Sequence, residues 1–193
     1  MPNIHSVAVF CGSQTGNNPE FRQAAAALGH GLAGAKMRLV YGGGRIGLMG
    51  VLADAALAAG GAVVGVIPDF LRAWEVAHEG LTELVVTDAM HSRKRQMFEL
   101  ADAFVMLPGG LGTLDETVEI LTWRQMRLHD KPIILCDVAG SAAPLVAAIE
   151  TAIAQAFASA DIRRLYAVAK GVPATLALLA HLNTVPGGAA ARL

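Results

Sequence analysis

The segment spanning residues 107–116 joins a glycine-rich turn to two carboxylates, a combination suited to chemistry on a phosphorylated substrate. An apolar run ends at Pro108, glycines follow, and a helix is predicted to begin at Thr113. Glycines let the backbone approach an anion closely, and the first N–H groups and the dipole of a helix attract that anion. Because a phosphate cradle alone needs no acid, Asp115 and Glu116 indicate catalysis beside the predicted phosphate position.

Thr113 and Glu116 also fit a capping box. In that motif a threonine at the helix N-cap accepts a hydrogen bond from the backbone amide three residues later, and the glutamate side chain there accepts one from the threonine amide. That structural interpretation accounts for both residues without catalysis, but it leaves the three nearby glycines unexplained. Glu119, Thr122 and Trp123 continue along one side of the same predicted helix. A side that combines acids, a hydroxyl and an aromatic ring is poorly suited to a dry core, which favours the functional interpretation.

A run of basic residues, Arg93, Lys94 and Arg95, lies in another predicted helix. A solvated helix face is the ordinary explanation for such a run. Arg93 and Lys94, however, share a face with Met97 and Phe98, and so they interrupt an apolar stripe. They also lie in the first turns, where the helix dipole disfavours each cation by roughly a few tenths of a kcal/mol. We therefore predict that Arg93 and Lys94 face an anionic ligand, whereas Arg95 faces solvent.

Two further glycine turns follow predicted strands. Gly12 and Ser13 lie in the turn after the first strand, where they either bind a phosphate or ribose or simply form a polar turn. A triple glycine that includes Gly43 and Gly44 follows the second strand and predicts close approach of a ligand to the backbone. This turn differs from the dinucleotide fingerprint because no acidic residue follows about 20 positions later, and it lacks the Lys-Ser/Thr pair of a P-loop.

Short apolar runs alternate with helical segments along the chain. Most of the runs are continuous, as expected of parallel strands covered on both faces, and they lie at residues 7–11, 38–41, 62–67, 84–87, 103–107 and 132–136. Helices are predicted at residues 19–35, 48–59, 91–101, 113–128, 144–158 and 173–182. The alternation predicts an α/β fold: a single doubly wound, Rossmann-like domain with a mostly parallel sheet flanked by helices, in which ligands bind at the carboxyl ends of the strands. We expect this nucleotide-binding domain to span residues 1–182 and a flexible tail to span residues 183–193.

Composition excludes several classes of protein. With a formal net charge of −1, the chain has no general attraction for nucleic acid or anionic membranes. It has no apolar run of the roughly 18 residues that span a bilayer and no secretion signal, so a cytoplasmic protein is expected. Cys11 and Cys136 lie in apolar runs and are predicted to be buried thiols. The cysteines and histidines show no metal-ligand spacing, so we expect no metal site. We also expect no cofactor.

In combination, these motifs resemble the Lonely Guy (LOG) family of cytokinin riboside 5′-monophosphate phosphoribohydrolases, whose members are often labelled lysine decarboxylases. The resemblance covers residues 7–180 and runs through the sequences CGSQTG, YGGGRIGLMG, VIPDFL, MHSRK, PGGLGTLDE and ILTWRQMRLHDKP. It implies a doubly wound fold and a homodimer with the active site near the subunit interface. No lysine stands in a recognisable pyridoxal-phosphate setting, so the residues give no support to a decarboxylase.

The resemblance also implies roles for the residues that match the family's motifs. Arg93 and Glu116 align with its catalytic pair, and Lys94, Glu75 and Thr122 align with substrate contacts. Together with the glycine turns, the predicted substrate-binding residues are Gly12, Ser13, Gly43, Gly44, Glu75, Lys94, Gly109, Gly110, Leu111, Gly112, Thr113, Leu114, Asp115 and Thr122.

We therefore predict an enzyme that hydrolyses the N-glycosidic bond of an N6-substituted adenosine 5′-monophosphate, releasing the free base, a cytokinin, and ribose 5-phosphate. A general purine nucleoside monophosphate nucleosidase is one alternative, and a non-catalytic protein that binds a nucleotide or a related phosphorylated cofactor is another. Ser92 and Asp115 stand where many family members have glutamate, and these departures leave the base preference open. The expected partners are a nucleotide substrate and a second copy of the chain.

Overall fold

The computed structural model describes residues 4–72 and 76–184, and in that part of the chain seven strands form one parallel sheet. The strands are β1 (Ser6–Phe10), β2 (Arg38–Tyr41), β3 (Val63–Pro68), β4 (Glu83–Thr87), β5 (Ala103–Met106), β6 (Ile133–Asp137) and β7 (Ala167–Lys170). Their order is β4-β3-β2-β1-β5-β6-β7, and every neighbouring pair is parallel. Successive strands are therefore added toward one edge of the sheet from β1 to β4 and toward the other edge from β5 to β7. The point between β1 and β5, where this strand order reverses, is the usual place for a ligand crevice in such folds.

The described residues form six α-helices, of which five connect successive strands and the sixth follows β7. They are α1 (Pro19–Gly34), α2 (Gly47–Ala58), α3 (Met90–Leu100), α4 (Leu111–Gln125), α5 (Ala143–Ala154) and α6 (Gly171–Thr184), with short 3-10 turns at Asp69–Leu71 and Ala160–Arg164. None of the helices in this described part is both long and apolar enough to cross a membrane.

The sheet is buried on both faces because its strands alternate side chains between two helical layers. On one face Val9 belongs to a core cluster with Leu28 of α1 and Leu52 of α2. On the other face Phe10 belongs to a cluster with Met97 of α3. The apolar runs that form β1, β2, β3, β5 and β6 thus correspond to strands covered on both sides, as predicted. Edge strand β4 differs, because none of its residues is buried and Val86 is 45% exposed.

The α/β class, the parallel sheet and the alternation of elements are confirmed, and β7 is an element that the sequence did not reveal. This strand lies at the edge of the sheet and spans four residues, of which Ala169 alone is buried. Its apolar residues are mainly alanine, which has little preference for strands, so the strand signal in the sequence is weak there. Cys11 and Cys136 are buried thiols, as predicted.

Two predicted features fall partly or wholly outside the described residues. Helix α6 continues to Thr184, so the predicted tail begins inside a helix, and its remaining residues 185–193 lie outside the described part. Glu75 also lies outside, in the segment of residues 73–75.

Candidate active site

Two adjoining cavities lie at the carboxyl edge of the sheet, next to β1 and β5, where the strand order reverses. The larger cavity has a volume of about 410 Å³ and the smaller one about 160 Å³. Both are lined by Gly12 and Ser13 from the turn after β1 and by Gly110 and Thr113 from the turn after β5 and the start of α4. The turns of two neighbouring strands therefore meet at one site, as the motif positions predicted.

The turns after β1 and β5 are held together by backbone contact. The amide of Gly12 donates a 3.0 Å hydrogen bond to the carbonyl of Pro108. Gly109 packs so closely that a Cβ atom there would overlap the side chain of Thr113 and lie 2.8 Å from the Gly12 nitrogen. Glycine is required at position 109 because no larger residue fits between these groups.

Replacing Gly109 with alanine is expected to separate the two turns and to weaken nucleotide binding. Overpacking of this kind costs about 1–3 kcal/mol of folding stability. Chemical denaturation and calorimetric titration with AMP would measure both effects. Gly34→Ala is a matched control because nothing lies within 4 Å of an added Cβ atom at that helix end. Unchanged AMP affinity in Gly109→Ala would contradict the expected role of this turn.

Thr113 presents a buried hydroxyl at the junction of the two cavities. Helix α4 begins at Leu111 with Gly110 as its N-cap, so the prediction that the helix begins at Thr113 is wrong. The capping-box interpretation fails for the same reason, because Thr113 lies inside the first turn and not at the cap. The side chain is only 4% exposed, and its hydroxyl oxygen has no hydrogen-bond partner among the described residues. A buried hydroxyl without a partner is destabilising, and a bound anion would satisfy it.

Arg93 of α3 is a buried cation anchored to the ends of two strands. It is 6% exposed, and its Nε and Nη2 atoms donate hydrogen bonds to the carbonyls of Val66 (3.1 Å) and Gly42 (3.2 Å). Its Nη1 atom lies 4.0 Å from Oε1 of Glu116 in α4, whose side chain is 12% exposed. Because Arg93 and Glu116 both line the smaller cavity, a cation and an anion face each other there in a poorly solvated setting.

The triple-glycine turn after β2 shapes this cavity through Gly42, a residue that the sequence analysis did not single out. A Cβ atom at Gly42 would overlap the guanidinium of Arg93, so the arginine needs glycine at that position. Gly43 has a positive φ of 78° and packs against Ile67, and Gly44 pairs with Ala77 in an isolated bridge. Of the three glycines, Gly42 is the one that lines the smaller cavity.

Lys94 contacts the acids of α4. Its Nζ atom lies 2.6 Å from Oδ2 of Asp115 and 3.4 Å from Oε2 of Glu119. Burial alone would lower the pKa of Lys94, but the hydrogen bond to Asp115 and the charge of Glu119 outweigh it, so the pKa is raised. Arg95 is exposed and pairs with Glu99 one turn later, as the solvated interpretation predicted.

The structure brings most of the predicted site residues together. Among the described residues, those lining one or both cavities include Gly12, Ser13, Arg93, Gly109, Gly110, Leu111, Gly112, Thr113, Leu114, Asp115 and Glu116. Gly43, Gly44, Lys94 and Thr122 are not among these lining residues. The Thr122 hydroxyl donates a 2.7 Å hydrogen bond to the carbonyl of Val118 within α4. No group of three or more metal-ligating side chains occurs in the described part of the chain.

Comparison with known proteins places the chain beside enzymes that act on nucleotides. A family model described as "Possible lysine decarboxylase" matches residues 49–179. A cytokinin riboside 5′-monophosphate phosphoribohydrolase of Rhodococcoides fascians is 46% identical over 179 residues, covering 92% of this chain and 90% of that protein. A relative of the same name from Arabidopsis thaliana, LOG2, is 40% identical over 173 residues, covering 90% of this chain and 81% of its own.

Solved structures share the fold at lower sequence identity. The molybdenum cofactor binding protein of Rippkaea orientalis superposes with a TM-score of 0.69 at 21% identity, covering 93% of this chain and 97% of its own. The molybdenum cofactor carrier protein of Chlamydomonas reinhardtii gives a TM-score of 0.70 at 20% identity, covering 92% and 96%. At this identity the likeness establishes the architecture alone.

Proposed function

Because this chain belongs to the family of cytokinin riboside 5′-monophosphate phosphoribohydrolases, we propose that it hydrolyses the N-glycosidic bond of an N6-substituted adenosine 5′-monophosphate. The products are the free base and ribose 5-phosphate. The observation that supports this function best is the Arg93–Glu116 pair, which faces a cavity beside a glycine-bounded helix N-terminus.

The substrate's 5′-phosphate is proposed to bind at the start of α4. The backbone hydrogen bonds of this helix begin at Leu114, whose amide donates to the carbonyl of Gly110. The amides of Gly112 and Thr113 precede it, and the first amides of a helix have no intrahelical acceptor and attract anions. The buried hydroxyl of Thr113 adds a donor at the same place.

Glu116 is proposed to stabilise the reaction centre. When the bond from ribose C1′ to the base nitrogen breaks, the electron pair leaves with the base and positive charge develops on the ribose. A carboxylate beside C1′ stabilises that charge and activates the attacking water, as carboxylates do in glycoside hydrolysis. The water oxygen bonds to C1′, and its proton passes to the departing base.

Arg93 is proposed to orient Glu116 and to offset the negative charge that develops on the departing base. A guanidinium is permanently protonated in proteins, so Arg93 acts through its charge and hydrogen bonds and not as a base. Its bonds to the carbonyls of Val66 and Gly42 hold this charge in a fixed position.

Chromatographic analysis of the products formed from AMP and from N6-isopentenyl-AMP tests the function. Faster release of base from N6-isopentenyl-AMP is the expected result. Equal rates on both substrates would identify a general purine nucleoside monophosphate nucleosidase. Tight binding of both nucleotides without any release of base would contradict hydrolysis and identify a nucleotide-binding protein.

The protein is also proposed to form a homodimer through α4. Leu111, Leu114 and Val118 are exposed at helical spacing, Leu111 to 86%, and they form an apolar stripe bordered by Asp115, which pairs with Lys94. In a two-fold dimer the same patch meets its own copy, so an apolar stripe is self-complementary. Leu111 and Met90 also line the smaller cavity, and a second copy packed on this stripe would cover its opening.

Val118→Lys is expected to convert the dimer to a monomer, because two lysines brought to one two-fold interface repel and lose solvation. Light scattering coupled to size exclusion would measure the mass. Phe157→Lys serves as the control, since Phe157 is exposed on the turn after α5 and outside the stripe. A wild type that is a monomer, or a Val118→Lys variant that remains a dimer, would contradict the proposed interface.

A further inference from the structure

Lys94 contacts protein carboxylates where a substrate anion was expected. Its side chain is 17% exposed and lies between Asp115 and Glu119, which are four residues apart and so share one face of α4. Both of its nearest negative charges therefore belong to the helix that also presents Glu116.

Lys94 is not among the residues that line the two cavities, although its partner Asp115 lines the smaller one. Lys94 lines instead, with Glu116, Glu119 and Phe98, a cleft of about 10 Å³. A space of that size holds at most about one water molecule. Its neighbour Arg93, by contrast, lines the smaller of the two large cavities.

We propose that Lys94 is a positioning residue for Glu116. Successive residues of α3 contact α4 side by side: Arg93 lies opposite Glu116, and Lys94 lies between Asp115 and Glu119. The lysine thereby fixes the rotation and distance of α4 relative to α3, and with them the place of the Glu116 carboxylate. This inference rests on the proposed function, in which Glu116 acts on the ribose.

The charges that face this contact explain why a cation is needed. Helix α4 presents three carboxylates within five residues, Asp115, Glu116 and Glu119, and α3 presents the cations Arg93 and Lys94. Without Lys94, three carboxylates would face one guanidinium, and mutual repulsion would move them apart. A displacement of about 1 Å at a catalytic group lowers the rate by about 10²-fold.

Kinetics of Lys94→Met and Lys94→Arg, combined with calorimetric titration of AMP, test this role. In Lys94→Met we expect kcat to fall by about 10–10²-fold while KM and Kd for AMP change by less than about threefold. Lys94→Arg should recover most of kcat because a guanidinium also bonds two carboxylates. Arg95→Met is the matched control, because Arg95 is exposed and pairs with Glu99 of its own helix rather than with an acid of α4.

A double-mutant cycle tests whether Lys94 acts through its two acids. In an Asp115→Asn/Glu119→Gln background, Lys94→Met should produce little further loss of kcat. A tenfold or larger rise in Kd with kcat unchanged would overturn the proposal and identify Lys94 as a substrate contact. The proposal would also be overturned if Lys94→Met lowered kcat by the same factor in the Asp115→Asn/Glu119→Gln background as in the wild type. Failure of the proposed function itself has a different signature, since the wild type would then release no base from either nucleotide.

Discussion

Replacing Glu116 with glutamine is expected to lower kcat for base release by about 10²–10⁴-fold and to leave the dissociation constant of AMP nearly unchanged. Glutamine has the size and shape of glutamate but carries no charge, so it can neither stabilise a developing cation nor activate water. The proposed phosphate contacts come from the start of α4, one turn away from position 116. Initial rates of base release and calorimetric titration with AMP would measure the two quantities separately.

Glu99→Gln is the control for that experiment. Glu99 is a glutamate of α3 that pairs with exposed Arg95, and it should be replaceable without loss of activity. Wild-type kcat in Glu116→Gln would mean that Glu116 serves only to pair with Arg93, and the proposed mechanism would then be wrong.

Replacing Arg93 with methionine is expected to abolish measurable base release and to destabilise the fold by about 3–5 kcal/mol. Methionine leaves the carbonyls of Val66 and Gly42 without their donor and leaves Glu116 as a poorly solvated carboxylate without its cation. Each of those buried groups then loses a partner that water replaces poorly. Denaturation by urea, followed by circular dichroism, would measure the free energy of unfolding.

Arg93→Lys separates the charge of this residue from its geometry. An ammonium group retains the positive charge, but it cannot bond both carbonyls and also face Glu116 as a planar guanidinium does. We expect a stability between those of the wild type and Arg93→Met, with activity still strongly reduced. An Arg93→Met variant as stable and as active as the wild type would show that the buried cation has no role in the site.

The sequence was sufficient to predict the fold class and the edge of the sheet that holds the site. Continuous apolar runs ending in glycine turns indicate buried parallel strands, and parallel strands place their carboxyl ends along one edge. This is why the turn containing Gly12 and the turn containing Gly110, about a hundred residues apart in sequence, were expected together and do line the same cavities.

Contacts between elements could not be predicted in the same way. The sequence showed that Lys94 interrupts an apolar stripe, but the acids that pair with it lie on another helix, and one sequence does not specify which helices meet. Likewise, the triple glycine indicated a close approach without showing that the approaching group is the guanidinium of Arg93 or that Gly42 accommodates it. The short edge strand β7 was missed because it has little apolar surface to bury.

The central claim is that the cavity between Arg93 and Glu116 supports cleavage of the bond between ribose and base. Quantifying base and ribose 5-phosphate released from N6-isopentenyl-AMP by the wild type and by Glu116→Gln tests this claim most directly. The wild type should release the two products in equal amounts, and Glu116→Gln should release almost none while still binding the nucleotide. Release of base by both proteins at the same rate, or by neither, would contradict the account.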